Sequence, residues 1–462
     1  MMTAERNYKG KNILIFGLGQ HSQGSGMAAA IYFAKLGANV VVTDKKSKTD
    51  LKKMITELKS LPLTYHLGGH SNKDIRWADI IIQNPGVPFD SKFILYAKKI
   101  KKDIQTDVSV YLSIYKPNVI AVTGTRGKST TASLISKIIK SKFPKSKLTG
   151  NIGRSPLWHI GKEKLINYAV MELSSWMLEG LEKYKYSPNI GVLTNIYSDH
   201  LDRYKKFSNY TKAKKLIYKY QKKSNLAIIN YDQSICRQIA KNVGNVYWFS
   251  LSKKVPRGVF YNDGDFYWHY KNKTTKIINI AEFKLLGRHN LNNLAAALVV
   301  AKLLKIKKSN ITKAVKSYSG LPHRIEYIRK FRGVKYVNDS YSTIPEATIS
   351  AIDSYDSPIV LIIGGTDKNL DYKKLANKIN QRVEYVITLP GTATKKIVKQ
   401  LEKVKYKNIV KSKDIRKALY IARRIARSGD LVLFSPAATS FGQFNNASER
   451  GEKFKNLINK LS

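Results

Sequence analysis

A phosphate-binding loop is predicted at Gly124-Thr125-Arg126-Gly127-Lys128-Ser129-Thr130, between a strand-like run and a helical pattern. Glycines at such a turn let backbone N–H groups face phosphate oxygens, and the N-terminus of the following helix adds its positive dipole end. Lys128 can reach the β- and γ-phosphates, and the Ser129 hydroxyl can coordinate Mg²⁺. Val122 takes the place of the first glycine in the commoner, longer form of this motif. The loop therefore predicts an enzyme that uses ATP and Mg²⁺.

Two polar clusters follow strand-like runs in the same region of the chain. Glu172-Leu173-Ser174-Ser175 comes after residues 168–171, and Asp199-His200-Leu201-Asp202-Arg203-Tyr204 comes after residues 190–194. Ligands of open α/β sheets bind outside the carboxyl ends of the strands, so we expect Glu172 and His200 to converge on the phosphate loop. A histidine alone is most often an ordinary surface residue, but its place in this cluster favours a role in binding metal and phosphate.

A second glycine-containing turn, Gly17-Leu18-Gly19, follows the first strand-like run, residues 11–16. The usual third glycine of a dinucleotide-binding turn is replaced by Ser22, and the loop extends through residues 20–26. Such a turn permits close approach to a diphosphate, either of a dinucleotide or of another ligand. Thr43, Asp44, Asn84 and Gly86 are further candidates because they lie at predicted strand ends.

The alternation of strand-like and helical segments predicts an α/β protein with parallel sheets. We expect three domains, at residues 1–114, 115–319 and 320–462, with boundaries at proline-containing turns. The first and third have a Rossmann-like, doubly wound pattern, and the second is of the phosphate-loop ATPase type. Strands are predicted at residues 11–16, 39–43, 80–83, 119–122, 168–171, 190–194, 227–230, 335–338, 359–363, 385–388 and 431–434, and β-hairpins within 257–280.

Composition limits the classes of protein to which the chain could belong. Its 462 residues are 43% hydrophobic and 25% charged, as in globular proteins. A single cysteine rules out an intrachain disulfide or a cysteine zinc site, which suits a reducing cytoplasm. The apolar run near the N-terminus is too short and glycine-rich for a signal peptide or a membrane span. We expect a cytoplasmic protein without membrane insertion, present as a monomer.

The formal net charge of +50 permits two interpretations. One is a nucleic-acid-binding ATPase, and the other is a solvated surface rich in lysine. The basic residues are spread along the chain, which favours the second interpretation, and no nucleic-acid partner is expected. A positive field would still attract an anionic substrate.

The ordered motifs resemble those of the Mur ligases, which are ATP-dependent enzymes that add amino acids to the peptidoglycan precursor. The phosphate loop is followed by Gly150-Asn151-Ile152-Gly153, the two polar clusters and Gly287-Arg288-His289-Asn290-x-x-Asn293. Further matches are Gly320-Leu321-Pro322-His323-Arg324-x-Glu326, Asn338-Asp339-Ser340, Gly364-Gly365, Ser435-Pro436-Ala437-x-x-Ser440-Phe441, Gln443-Phe444 and Glu449-Arg450-Gly451. The resemblance covers essentially the whole chain and is greatest to the D-glutamate-adding members. Tyr341, Met177, Ala447 and Gly442 differ from residues frequent in those members.

The resemblance implies a role for each matching position. The implied ATP contacts are Gly124, Thr125, Arg126, Gly127, Lys128, Ser129, Thr130, Asn293, Arg324 and Asp339. The implied UDP-sugar contacts are Gly17, Leu18, Gly19, Thr43, Asp44, Asn84, Gly86 and Asn151. The implied amino-acid contacts are Thr343, Lys368, Ser440 and Phe441. The implied Mg²⁺ ligands are Ser129, Glu172, His200 and, if it is carbamylated, Lys214. The implied catalytic residues are Lys128, His200 and Lys214.

The implied reaction is formation of an amide bond between UDP-N-acetylmuramoyl-L-alanine and D-glutamate through an acyl phosphate. The third domain would close over the nucleotide. Alternatives within the same class are an L-alanine-adding ligase, a muropeptide-recycling ligase and a folylpolyglutamate-type synthase. Alternatives from other classes are the nucleic-acid-binding ATPase and a redox enzyme that uses the N-terminal domain.

Overall fold

The computed structural model describes residues 8–115, 117–152, 154–160, 166–199, 201–440, 442–444 and 446–461, with only the backbone of Leu201 and Asp202. By its internal packing the chain divides into two compact units. The first runs up to Glu282 and includes Asn292–Lys316, and the second comprises Phe283–Leu291 and the chain from Ser317 onward. No helix among the described residues combines the length and apolar character needed to cross a bilayer.

The first sheet has five parallel strands in the order β3-β2-β1-β4-β5. These are β1 (Asn12–Phe16), β2 (Asn39–Asp44), β3 (Leu63–Leu67), β4 (Ile80–Gln83) and β5 (Asp103–Gln105). The helices are α1 (Ser25–Lys35), α2 (Lys52–Glu57), α3 (Asn72–Trp77), α4 (Lys92–Lys99) and α5 (Asp107–Tyr115). Strand order reverses beside β1, so the loops after β1 and β4 flank a crevice of the kind that binds ligands in doubly wound sheets.

The second sheet has nine strands in the order β14-β13-β12-β11-β10-β9-β6-β8-β7. Its members are β6 (Asn118–Thr123), β7 (Lys147–Gly150), β8 (Tyr168–Glu172), β9 (Ile190–Leu193), β10 (Leu226–Asn230), β11 (Val246–Ser250), β12 (Gly258–Asn262), β13 (Asp265–Tyr270) and β14 (Lys273–Asn279). The helices are α6 (Lys128–Ile139), α7 (Ser175–Glu182), α8 (Leu201–Tyr204), α9 (Phe207–Lys219), α10 (Ser234–Ala240), α11 (Arg288–Leu303) and α12 (Lys308–Lys316). The strands from β6 to β12 are parallel, and β12, β13 and β14 form antiparallel hairpins.

The third sheet, in the second unit, has the order β15-β16-β20-β17-β18-β19. Its strands are β15 (Glu326–Phe331), β16 (Val334–Asn338), β17 (Ile359–Ile363), β18 (Val383–Thr388), β19 (Ile409–Lys411) and β20 (Leu431–Phe434). The helices are α13 (Pro345–Ile352), α14 (Lys373–Arg382), α15 (Thr392–Lys403), α16 (Ile415–Ile425) and α17 (Ala447–Asn459). All five residues of β17 are buried, as expected for a parallel strand covered by helices on both faces.

The α/β fold class and the parallel sheets predicted from the sequence are confirmed. Each predicted strand is present, and residues 257–280 contain the predicted hairpins. The strands that the sequence analysis did not predict are β3, β5, β7, β11, β15 and β19. The exact domain boundaries near residues 115 and 320 stay predictions.

Candidate functional site

The predicted phosphate loop lies between β6 and α6, and two of its glycines cannot be replaced without a clash. Gly124 has φ +148°, and a Cβ there would lie 1.9 Å from Thr194 Oγ1. Gly127 has φ +78°, and its Cβ would lie 2.2 Å from Asn293 Oδ1. Lys128, the first residue of α6, donates from Nζ to the carbonyl of Thr125 at 2.9 Å. The lysine therefore lies over the loop at the N-terminus of a twelve-residue helix.

The segment after β9 holds the loop in shape. The N–H of Arg126 donates to Asn195 Oδ1 at 2.8 Å, and Thr194 Oγ1 donates to the Arg126 carbonyl at 2.6 Å. The Arg126 side chain forms an ion pair with Asp199, with Nη1 and Oδ2 3.1 Å apart. Arg126 therefore ties the phosphate loop to the second polar cluster. His200, the next residue of that cluster, lies outside the described residues.

Glu172 ends β8, beside β6, and is 2% exposed. One carboxylate oxygen accepts from Asn151 Nδ2 at 2.8 Å. The other, Oε2, is buried without a hydrogen-bond partner among the described residues. A buried carboxylate oxygen left in this state is costly, so the position suits a cation. Asn151 and Glu172 are thus hydrogen-bonded to each other, and the substrate and Mg²⁺ contacts implied for them stay predictions.

Lys214 projects from α9 into the same region and is 2% exposed. Its Nζ donates to Thr123 Oγ1 at 3.2 Å, at the end of the strand that feeds the phosphate loop. Burial and the positive charge of Lys128 lower the pKa of Lys214 well below its usual value, against the opposing effect of Asp199 and Glu172. In the sequence, only its position in the family motif distinguishes Lys214 from the other lysines of this helix. In the structure, Lys214 is buried, whereas its neighbours Lys212 and Lys215 are exposed.

The remaining nucleotide candidates of the first unit lie on α6 and α11. Ser129 is buried and Thr130 is half-buried in the first turn of α6. Asn293 accepts at Oδ1 from Thr131 Oγ1 at 3.2 Å, directly behind Gly127. Its polar side chain in an apolar helix is therefore explained in part by packing against the phosphate loop.

The N-terminal glycine turn is braced by Asp44. Asp44 Oδ2 accepts from the N–H groups of Leu18 at 2.8 Å and Gly19 at 3.3 Å. Gly17 and Gly19 have positive φ values, and Asn84 packs against both. Gly86 donates to Asn84 Oδ1 at 2.9 Å. The predicted residues at the ends of β1, β2 and β4 therefore lie at one edge of the sheet. They are Gly17, Leu18, Gly19, Thr43, Asp44, Asn84 and Gly86.

Thr43 contacts His70, which lines a cleft that was not predicted from the sequence. Its Oγ1 lies 3.0 Å from His70 Nδ1, and the His70 ring stacks on Phe16 with centroids 4.0 Å apart. The cleft has a volume of about 500 Å³ and is lined by Lys45, Gly69, His70, Ser91, Lys92 and Phe93. Gly68-Gly69-His70 was an available signal, but β3, the strand that precedes it, was not predicted.

In the second unit, Arg324 and Asp339 occupy neighbouring segments. The Arg324 guanidinium lies 5.0 Å from the centroid of the Tyr341 ring. Asp339 is buried and accepts from Ser342 Oγ, Ser435 Oγ and the N–H of Ile325. Burial raises the pKa of Asp339 to about 6, against the lowering effect of these hydrogen bonds.

The predicted amino-acid contacts lie in three loops at one edge of the third sheet. Thr343 follows β16, Lys368 follows β17 and Ser440 follows β20. The last two loops are joined by reciprocal backbone hydrogen bonds between Thr366 and Thr439, each 3.0 Å long. Lys368 is exposed and Ser440 is buried, while Phe441 lies outside the described residues.

The fold and the phosphate loop together define a nucleotide-using α/β enzyme, and comparison with known proteins identifies its family. Three family models match: "Mur ligase MurD-like, N-terminal domain" over residues 11–106, "Mur ligase middle domain" over 122–301 and "Mur ligase, glutamate ligase domain" over 323–438. The chain belongs to the Mur ligase family and is therefore a ligase.

Curated relatives match at nearly full length. A UDP-N-acetylmuramoylalanine–D-glutamate ligase from Roseiflexus sp. is 35% identical, covering 97% of this chain and 98% of that protein. An enzyme of the same name from Borreliella burgdorferi is 36% identical, covering 98% of each.

Solved structures share the fold at lower identity. A UDP-N-acetylmuramate–alanine ligase from Thermotoga maritima has a TM-score of 0.63 at 18% identity, covering 97% of this chain and 99% of that one. A MurF ligase from the same organism, solved in complex with ADP, has a TM-score of 0.58 at 20% identity, covering 91% of this chain and 95% of that one.

Proposed function

We propose that this protein is the ATP-dependent ligase that joins D-glutamate to UDP-N-acetylmuramoyl-L-alanine in peptidoglycan precursor synthesis. The observation that carries the proposal is the phosphate loop with Lys128 at the N-terminus of α6, beside the buried Glu172 and Lys214. The full-length relatives named as D-glutamate ligases support the choice of amino acid. ADP in the related MurF structure supports ATP as the nucleotide.

The residues present fit Mg²⁺. Glu172 offers a buried oxygen without a hydrogen-bond partner among the described residues, and Ser129 offers a hydroxyl. Although the described residues contain no group of three or more His, Cys, Asp or Glu side chains suited to a metal, Mg²⁺ is usually held by one or two carboxylates with substrate phosphates. A carbamate on Lys214 would add a second anion. When bound, Mg²⁺ would neutralise charge that develops on the transferred phosphoryl group.

The proposed reaction has two steps. The alanyl carboxylate attacks the γ-phosphorus of ATP, the bond to ADP breaks and an acyl phosphate forms. The amine of D-glutamate then attacks the acyl carbon, loses a proton and expels inorganic phosphate. Lys128 would exchange its contact with the Thr125 carbonyl for phosphate oxygens and stabilise the charge of the first step. Lys368, Thr343 and Ser440 are the proposed contacts of the amino acid, and a lysine with two hydroxyls suits a dicarboxylate.

The test is phosphate release with UDP-N-acetylmuramoyl-L-alanine while the amino acid is varied. We expect turnover with D-glutamate that Lys128→Ala reduces by about 100-fold or more. Lys137→Ala, an exposed lysine on the same helix, is the matched control and should retain activity. Full ligation by Lys128→Ala would reject the site, and strong turnover with L-alanine on the unsubstituted sugar would reject the substrate. The cytoplasmic location and monomeric state expected from the sequence stay predictions.

A further inference from the structure

Arg450 is the largest fully buried side chain among the described residues and lies near the start of α17. It is 1% exposed. Its guanidinium donates from Nε to Ser340 Oγ at 3.1 Å, from Nη2 to the Ser340 carbonyl at 2.7 Å and from Nη1 to the Ala438 carbonyl at 3.1 Å. These acceptors belong to two loops that are far apart in sequence.

The loops around Arg450 are those that carry the proposed amino-acid contacts. Ser340 lies in the loop after β16, three residues before Thr343, and Ala438 lies in the loop after β20, two residues before Ser440. The loop after β17, which carries Lys368, also reaches this point, because a Cβ at Gly365 would lie 3.4 Å from Arg450 Nη1. All three loops therefore meet at one guanidinium.

The hydrogen-bond acceptors around this position suit an arginine. A buried cation is costly unless hydrogen bonds satisfy it, and here its directed N–H groups end on a hydroxyl and two carbonyls. Burial lowers the pKa of the guanidinium to about 10, and the nearby carboxylate of Asp339 opposes that shift. The fork of the guanidinium has fixed directions, so it sets the spacing of the loops, whereas a lysine ammonium is a point charge on a flexible stem.

We propose that Arg450 is a positioning residue that fixes the three loops in the arrangement that receives the carboxylates of the amino-acid substrate. This inference rests on the proposed function of those loops. It assigns Arg450 no contact with substrate. Losing the fork should weaken binding of the amino acid more than binding of the UDP-linked precursor, whose proposed contacts lie in the first unit.

The experiment compares Arg450→Lys with Phe454→Leu in the full chain. Phe454 lies on the same helix and packs on Phe434 with ring centroids 4.6 Å apart. It is fully buried, so its truncation loosens α17 without removing a hydrogen bond from the loops. For Arg450→Lys we expect the KM for D-glutamate to rise about tenfold or more, while the KM for the UDP-linked precursor stays within about twofold. Phe454→Leu should lower the unfolding temperature but leave both KM values near those of the wild type.

Two results would overturn the inference. One is a rise in the KM for D-glutamate in Phe454→Leu as large as that in Arg450→Lys. The other is a loss of kcat or of stability in Arg450→Lys with no change in that KM. If Arg450→Lys does not fold, Ser340→Ala decides, since it removes the acceptor of Nε, together with the hydrogen bond that Ser340 Oγ donates to the Ala447 carbonyl at 2.7 Å, while the other two guanidinium contacts remain. It should raise the same KM by a smaller factor. Wild-type turnover with a different amino acid would reject the proposed function, and the KM for that amino acid would then test the positioning role.

Discussion

Lys214 is a buried lysine, which is an unusual position for this type of residue. Burial and the positive charge of Lys128 lower the pKa of Lys214, and only the neutral amine reacts with CO₂ to form a carbamate. The carbamate is an anion, which would suit a position between a phosphate-binding lysine and a metal. Burial thus supplies a physical reason for the modification that the family resemblance implies.

We therefore expect activity to fall when CO₂ is removed and to return with bicarbonate. Lys214→Ala should lose about 100-fold or more in kcat, because a charged ligand of the phosphoryl-transfer site is removed. Lys215→Ala, the exposed neighbour on α9, serves as the control and should behave as the wild type. The measurements are phosphate release in CO₂-depleted buffer and the intact mass of the protein under mild ionisation. Activity indifferent to CO₂, with no mass increase, would contradict the prediction.

Asp339 gives a prediction of pH-dependent stability. Its pKa in the folded protein is about 6, above the value of an unfolded aspartate, because the carboxyl is buried. A raised pKa contributes stability that is fully present below the unfolded pKa and is lost as pH rises through about 6. The size of this effect is about 3 kcal/mol at most, from two pKa units.

Urea unfolding of the ligand-free protein between about pH 4.5 and about pH 7.5 tests this. The stability of the wild type should fall relative to that of Asp339→Asn as pH rises. Asp367→Asn is the control in the same unit, because the ion pair and hydrogen bonds of Asp367 outweigh its burial and lower its pKa. Its contribution is lost only as pH falls through a pKa below the range tested, so its curve should run parallel to that of the wild type. Parallel curves for Asp339→Asn as well would show that Asp339 is ionised throughout.

Among the secondary-structure elements, the interior strands of each sheet are predicted from the sequence better than the edge strands. Of the unpredicted strands, β3, β5, β7, β15 and β19 all lie at sheet edges. β3 has no fully buried residue, and β5 and β19 have three residues each. Such strands lack the continuous apolar run of a strand covered on both faces. Only β11 is interior, and its run Tyr247-Trp248-Phe249 was a usable signal.

The same contrast applies to the candidate site. Motif order predicted Glu172, Lys214 and the phosphate loop as candidate site residues, since each follows a strand end or keeps motif spacing, and the structure shows that Glu172 and Lys214 are buried. It could not find Arg450 as a loop anchor, because its acceptors on Ser340 and Ala438 become neighbours only through the folding of the third sheet. His70 was not predicted for a related reason. It follows β3, and the sequence of β3 is too weakly apolar to predict a strand there.

Helix α1 illustrates how a departure in sequence is accommodated in structure. The expected third glycine of the N-terminal turn is Ser22, but Gly26 performs the close-packing role four residues later. A Cβ at Gly26 would lie 2.4 Å from the carbonyl oxygens of both Gly17 and Leu18. The start of α1 therefore packs directly against the turn after β1, even though the loop between them is extended.

We expect Gly26→Ala to push α1 away from the glycine turn. The loss in free energy of unfolding should be about 1–3 kcal/mol, and the KM for the UDP-linked precursor should rise. Gly244→Ala is the control, because no atom lies within 4 Å of a Cβ at that position. Urea unfolding and initial rates measure the two effects. Equal behaviour of the two variants would show that α1 does not depend on this contact.

For the molecule as a whole, the candidate site does not explain the net charge of +50. The proposed substrates, ATP, the UDP-linked precursor and D-glutamate, are all anions. A net positive field raises the rate at which anions reach a protein, and the effect grows with the charge of the ligand. Salt weakens such a field, since the Debye length falls from about 30 Å at 0.01 M to about 10 Å at 0.1 M.

We therefore expect kcat/KM for ATP and for the UDP-linked precursor to fall by about tenfold as ionic strength rises over this range. The decrease for D-glutamate should be smaller, because it carries less negative charge, and kcat should change little. NaCl and KCl at equal ionic strength separate screening from specific ion effects. Adding RNA to the ATP hydrolysis assay separates screening from the nucleic-acid-binding alternative. As a competing polyanion, RNA should slow the ligase reaction and should not stimulate hydrolysis without the UDP-linked precursor. Stimulation by RNA alone would instead assign the charge to nucleic-acid binding and reject substrate attraction as its role.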